Sequence, residues 1–319
     1  MRIHPDDYRE GNDEGSWRHA GWDLCSGADI GRDQAVGFGG ACGDIMKAGV
    51  FSTVFKRDSV EEVLDAILGE GFKATQFHMS CAGIDQIPEV IPEELCERIR
   101  KAFDDRAMEM GGLSGTFNMI DQDPAAKEAG FRGLEQLASH AHRLGTSVVT
   151  LCSGTMADYL WRPHPENNGQ AAWDQMIASM ARAAEIAEKH DVYVAFEPEV
   201  SNVIDSAEKA KRAIDTVASP KLKVCIDGAN LFHKGELPRM DEILDEAFDL
   251  IGEHIVFAHA KDLSKDGEAG HDAAGTGFLN YDRYLELLDK MGYEGAVLLH
   301  SLVEEQVPGC KEFLESKMP

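Results

Sequence analysis

The chain has 319 residues, 43% of them hydrophobic, enough to bury the core of one large α/β barrel or of two ordinary domains. Its 57 acidic and 31 basic residues leave a net charge of −26, which repels phosphate backbones and speaks against nucleic acids and anionic membranes as partners. Seven scattered cysteines without a CxxC pair, a polar N-terminus without an apolar signal core, and no run near the roughly 20 apolar residues of a membrane span together predict a reduced, cytoplasmic protein.

Residues 1–45 hold nine of the 31 glycines and show no sustained helical or strand period. The run GFGGACG (37–43) has the glycines of a phosphate loop, but no strand precedes it and no clear helix follows. This stretch is expected to be a poorly structured, disordered extension, or sequence upstream of a true start at Met46.

From Met46 one pattern repeats: apolar run, polar turn, amphipathic helix, glycine, next run. The runs are KAGVF (47–51), ATQFHM (74–79), GLSGTFNMI (112–120), SVVTLC (147–152), VYVAFE (192–197), LKVCID (222–227), HIVFAHA (254–260) and AVLLH (296–300). Continuous apolar runs of this length are what parallel strands buried on both faces require. Between them, Ser59 with Glu62 makes a capping box before Val63, Ile67 and Leu68. Asp123-Pro124 supplies a cap and an N1 proline to a helix carrying Phe131, Leu134, Leu137 and Ala141 at helical spacing. Gly71, Gly145 and Gly292 close helices just before the next strand. Eight strands alternating with helices predict an α/β fold, a (β/α)8 TIM barrel spanning 46–319. A doubly wound sheet would normally stop at five to seven strands and show a glycine fingerprint after the first.

Barrels of this kind place their functional groups at the C-terminal ends of strands and on the loops that follow. Those ends read His78, Asn118, Ser153-Gly154-Thr155, Glu197 with Glu199, Asp227 with Asn230, His259 with Lys261, and His300. Any one of them alone is most simply an ion-pair partner or a hydrogen-bonded core residue. Glu197, Asp227 and His259 each end an apolar run as its last polar residue, and together they make an O/N donor set without a thiolate. That set suits Mn²⁺, Mg²⁺, Co²⁺ or Zn²⁺. His300 is either a fourth ligand or a supporting residue, and Glu304, one turn further, is an alternative ligand.

The segments FEPE (196–199), CIDGANLFH (225–233), AHAKD (258–262) and AGTGFLNYDRYLELLDKMGYEGAVLLHSLVE (274–304) resemble the xylose isomerase-like TIM-barrel superfamily of sugar isomerases and epimerases. The stretch TLCSGTMADYLWRPHPENN (150–168) is similar to a subgroup described as sugar phosphate isomerase/epimerase-like. The resemblance implies a divalent metal, Mn²⁺ above the others, held by Glu197, Asp227 and His259, with Glu197 as the general base. It places His300 where the ketose epimerases carry a second glutamate, so His300 inherits both the fourth ligand position and the second catalytic position. Asn230 stands where those epimerases commonly have histidine, and it can bond a substrate oxygen but cannot carry a proton at neutral pH. Endonuclease IV shares the fold, but it needs extra His and Asp ligands and a surface that accepts DNA, and this chain offers neither.

His78, Glu199, Asn230 and Lys261 are expected to contact substrate, Lys261 by holding an alkoxide or phosphate oxygen or else by pairing with Asp262 or Glu199. The long segment Met156–Asn168 offers Trp161, Arg162 and His164 as a lid over the barrel mouth, or as an ordinary surface or oligomer-contact loop. The expected function is a metal-dependent isomerase or epimerase of a sugar, keto-sugar or sugar phosphate acting through an enediolate. A lyase or dehydratase performing β-elimination on a keto-sugar or 3-oxo-glycoside is the alternative, and a non-catalytic sugar-binding barrel is the reading from another class. The partner is a small carbohydrate, with a homo-oligomer possible by family habit.

Overall fold

The computed structural model describes residues 46–319, and the expectation for residues 1–45 lies outside the described residues. The strands are β1 (Lys47–Phe51), β2 (Ala74–Phe77), β3 (Glu109–Ser114), β4 (Val148–Cys152), β5 (Tyr193–Glu197), β6 (Leu222–Asp227), β7 (Ile255–Ala260) and β8 (Ala296–Leu299). Each pairs in parallel with the next, and β8 returns to β1 in the register Lys47↔Ala296 to Val50↔Leu299, closing the barrel. The helices are α1 (Val60–Gly69), α2 (Glu93–Asp104), α3 (Pro124–Leu144), α4 (Gln170–His190), α5 (Ala207–Val217), α6 (Met240–Ile251), α7 (Tyr281–Lys290) and α8 (Val307–Lys317). Among the described residues no helix is long and apolar enough to cross a membrane.

The local signals act as their chemistry requires. Ser59 accepts from the Glu62 amide and Asp123 from the Ala125 amide, while the Glu62 carboxylate reaches the Asp58 amide rather than closing its box on Ser59. Gly71, Gly145 and Gly292 take φ of 83°, 104° and 75°, the left-handed conformation that turns each chain toward its next strand.

One strand lies elsewhere than expected. The third spans 109–114 instead of 112–120, and residues 115–120 already belong to its loop. Lys47 pairs with Glu109 at 2.5 Å, drawing that polar residue into β3 beside β1 and β2. Gly112, the first residue of the expected run, lies inside the strand: a Cβ there would sit 2.8 Å from the Phe257 ring of β7. Asn118 consequently lies on the loop, where its side chain holds the Thr155 backbone through both N–H and C=O.

Two buried tyrosines of α7 fix the strand ends that matter. Tyr284 donates to the carbonyls of Ile226 and His259 at 3.2 and 2.9 Å, and Tyr281 donates to that of Lys261 at 2.9 Å. The ends of β6 and β7 are therefore held by one helix.

Candidate metal centre

Glu197, Asp227, His259 and His300 converge at the C-terminal ends of β5 to β8. One ligand atom from each lies within 4.8 Å of all the others, so the four can hold a metal ion. Asp227 is fully buried and His259 nearly so. Asp227 offers Oδ2 to His300 Nε2 at 2.9 Å while its Oδ1 accepts the Ala229 amide. The two imidazole rings lie 4.3 Å apart and tilted by 39°. Directly after His300, Ser301 turns the chain away from the barrel with φ of 56°. Glu304 does not join the cluster, because Arg57 takes both its oxygens, at 2.9 and 2.5 Å.

Lys261 supplies the nearby positive charge. Its Nζ lies 3.6 Å from Asp227 Oδ2 and 4.0 Å from Glu197 Oε1, and the Asp262 carboxylate is occupied with the amides of Leu263, Gly275 and Leu279. Burial alone would raise the pKa of Asp227, but Lys261 and the His300 hydrogen bond hold it well below the carboxylate range. Burial likewise pushes Glu197 up, and His259 and Lys261 outweigh it, leaving Glu197 ionised. Burial depresses Lys261, yet Asp227, Glu197 and Glu199 raise it, so it stays charged. His300 is pushed down to about 4 by burial and by His259, which keeps its imidazole neutral and its lone pair available. Burial holds Cys225 as a neutral thiol 3.5 Å from His259, so no thiolate enters the set.

A divalent cation fits this arrangement. Two ionised carboxylates sit beside two imidazoles with only one lysine, at long range, to balance them. Asn230 Nδ2 donates to Glu197 Oε1 at 2.6 Å, while its Oδ1 is the one buried side-chain polar atom among the described residues without a partner. Two oxygens and two nitrogens are the donors that borderline and hard divalent ions take.

Gln76, which the sequence did not single out, completes the centre. Its Oε1 accepts from His259 Nε2 at 2.7 Å, and its amide donates to Thr150 Oγ1 at 2.8 Å. An amide oxygen only accepts, so Nε2 of His259 carries a proton, and Nδ1 faces Glu197 Oε1 at 3.5 Å. Gln76→Leu, which removes this hold at similar volume, is expected to weaken Mn²⁺ binding about 10–100-fold, measured by calorimetric titration, with little change in fold. Unchanged affinity would show that His259 orients itself.

The centre forms the floor of a pocket of about 610 Å³ lined by Glu197, His259, Lys261 and His300, and by His78 and Trp161. His78 Nδ1 accepts from the Ser80 amide, and burial keeps the ring neutral. Four expected substrate contacts lie off this pocket, among them Asn230, whose amide is turned to Glu197. Glu199 is buried within its own loop, its oxygens taken by the Ser201 amide and the Asn202 side chain. Arg162 points outward to Asp158 at 2.5 Å, four residues before it. His164 caps the turn Pro165–Asn168 through its Nδ1. Tyr159, Gln86 and His271 join the pocket wall without having been expected there.

No curated protein matches the chain. Among solved structures it is similar to a D-tagatose 3-epimerase-like protein, with 18% identity and a TM-score of 0.68 over 85% of this chain and 97% of that one. It is also similar to the probable 3-DHS dehydratase AsbF from Bacillus anthracis, with 17% identity and a TM-score of 0.63 over 85% and 99%. The IOLI protein with a binding zinc atom is a third, with 16% identity and a TM-score of 0.60 over 85% and 96%. Identities this low speak for the fold alone. The family model described as xylose isomerase-like TIM barrel matches residues 64–311, and the chain belongs to that family.

Proposed function

We propose that this protein is a divalent-metal-dependent isomerase or epimerase of a sugar or keto-sugar, with Mn²⁺ as its working ion, and that the reaction passes through an enediolate. The observation that carries the reading is the convergence of Glu197, Asp227, His259 and His300 on one point beneath an open pocket. These four residues would hold the ion, and the ion would supply Lewis-acid stabilisation of the enediolate oxygens.

Glu197 is ionised and held by the Asn230 amide, so it takes the proton from the carbon next to the carbonyl. Lys261, charged and buried at the floor, stabilises negative charge developing on a substrate oxygen. Protonated Glu197 returns the proton to the enediolate, and His78 bonds a hydroxyl from the facing wall. Where a symmetric epimerase needs two matched carboxylates, this centre offers one carboxylate and a neutral imidazole depressed to about 4. That asymmetry favours a second reading, β-elimination from a keto-sugar, in which Glu197 alone takes the carbon proton and hands it to the leaving hydroxyl. The expected result, with Mn²⁺ and a ketose panel in deuterated water, is deuterium at the carbon adjacent to the carbonyl, read by NMR. A product that keeps its mass apart from deuterium supports isomerisation or epimerisation, and loss of water supports elimination. No exchange with any member overturns both.

A further inference from the structure

The wall of the pocket is short of positive charge. Among its described lining residues Lys261 is the only lysine or arginine, and it sits on the floor beside Asp227 and Glu197, under the reacting ring rather than on the wall. Arg162 turns out to Asp158 with its side chain 60% exposed, and Arg57 is held in a bidentate pair by Glu304. Barrels of this architecture commonly seat a phosphate on the loops after strands seven and eight, at the N-terminus of a short helix. Here that place is the turn Glu304–Gln306 ahead of α8, and its first two residues are Glu304 and Glu305. Carboxylates in that first turn cancel the attraction of the free N–H groups for an anion.

The mouth also carries apolar and aromatic residues among uncharged polar ones. Phe51, Leu302, Tyr159 and Trp161 line it, with Tyr159 57% and Trp161 38% exposed. A pocket of about 610 Å³ lies within the roughly 300–1,000 Å³ that holds ligands larger than one sugar ring. Large aromatic faces left open beside uncharged polar groups suit the C–H face of a sugar or a flat aglycone.

We infer that the substrate is an uncharged glycoside: the reacting ring sits over the metal centre, and its second ring or aglycone stacks on Trp161 and Tyr159. Among the described residues the wall offers no further cation to a sugar phosphate or a sugar acid, which disfavours both. This rests on the isomerase reading above for its chemistry, but its selectivity is a binding property that can be read apart from turnover.

The test titrates the Mn²⁺-loaded protein, following tryptophan fluorescence, with a neutral keto-glycoside, the free keto-sugar, its 6-phosphate and its uronate. Deuterium exchange is then measured on the same four compounds. The expected result is binding of the glycoside at least about tenfold tighter than the phosphate or the uronate. Trp161→Ala should weaken the glycoside by about threefold to tenfold, the size of one aromatic contact. A phosphate or uronate bound as tightly as the glycoside overturns the inference, whether or not exchange occurs. Selective glycoside binding without exchange supports the inference while the isomerase reading falls.

Discussion

Glu197→Gln is expected to lower deuterium exchange at the substrate carbon by about 10³-fold, within the 10²–10⁴ that a positioned general base contributes. The substitution keeps the shape of the side chain and an oxygen to accept the Asn230 amide, whose bond to Glu197 Oε1 is 2.6 Å. It removes the basic lone pair. Because burial opposes the charge on Glu197 and His259 and Lys261 restore it, the wild-type group is ready as a base at neutral pH, and the amide cannot replace it. NMR exchange rates with metal content measured in parallel decide the matter. A variant that retains its metal and exchanges within about tenfold of wild type would remove Glu197 from the base role.

Asp227→Asn is expected to cost more than 10²-fold in Mn²⁺ affinity, beyond the roughly 10–100-fold of a supporting residue, and to destabilise the metal-free fold by about 2–3 kcal/mol. Asp227 is fully buried, accepts from His300 at 2.9 Å and lies 3.6 Å from the Lys261 ammonium. An amide there leaves the buried lysine with only Glu197, 4.0 Å away. The cost is placed below the full value for a broken buried pair because that second carboxylate remains. The sign with pH follows from the depressed pKa of Asp227. Its contribution is fully present above the ordinary aspartate range and is lost as pH falls toward the lower folded value. The gap between wild type and variant should therefore be widest at neutral pH and close on acidification, as read from urea unfolding in EDTA at a series of pH values. A gap independent of pH would remove the charge as its cause.

The barrel was legible because parallel strands buried on both faces leave few places for a polar residue except their ends. Asp227 and His259 stand out in LKVCID and HIVFAHA for that reason, and the structure brings them together with Glu197 and His300. Gln76 stayed hidden because it lies inside its run, and its partner belongs to β7, 183 residues away. Only the closed curvature of the barrel places the two side chains together. Arg162 and His164 lie off the pocket for a different reason. Residue type states which chemistry a side chain can do, but not which way it faces. An aspartate four residues before Arg162, and a proline directly after His164, were local signals for an outward ion pair and a turn cap. The third strand begins earlier than its apolar run because Lys47 holds Glu109, and Gly112 within it makes room for the ring of Phe257 from β7.

Asn167 accepts the Met156 amide at 2.8 Å and donates to the Ser201 carbonyl at 2.9 Å, pinching the base of the segment that carries Tyr159 and Trp161. The ten residues 157–166 between these anchors form an Ω-shaped excursion whose two ends meet at one side chain. Lengthening such an excursion costs little, about 0.6 kcal/mol for each doubling of its length. Insertions and exchanges within it would leave the strand ends in place, so the loop proposed to choose the substrate can diverge or be grafted independently of the proposed metal centre.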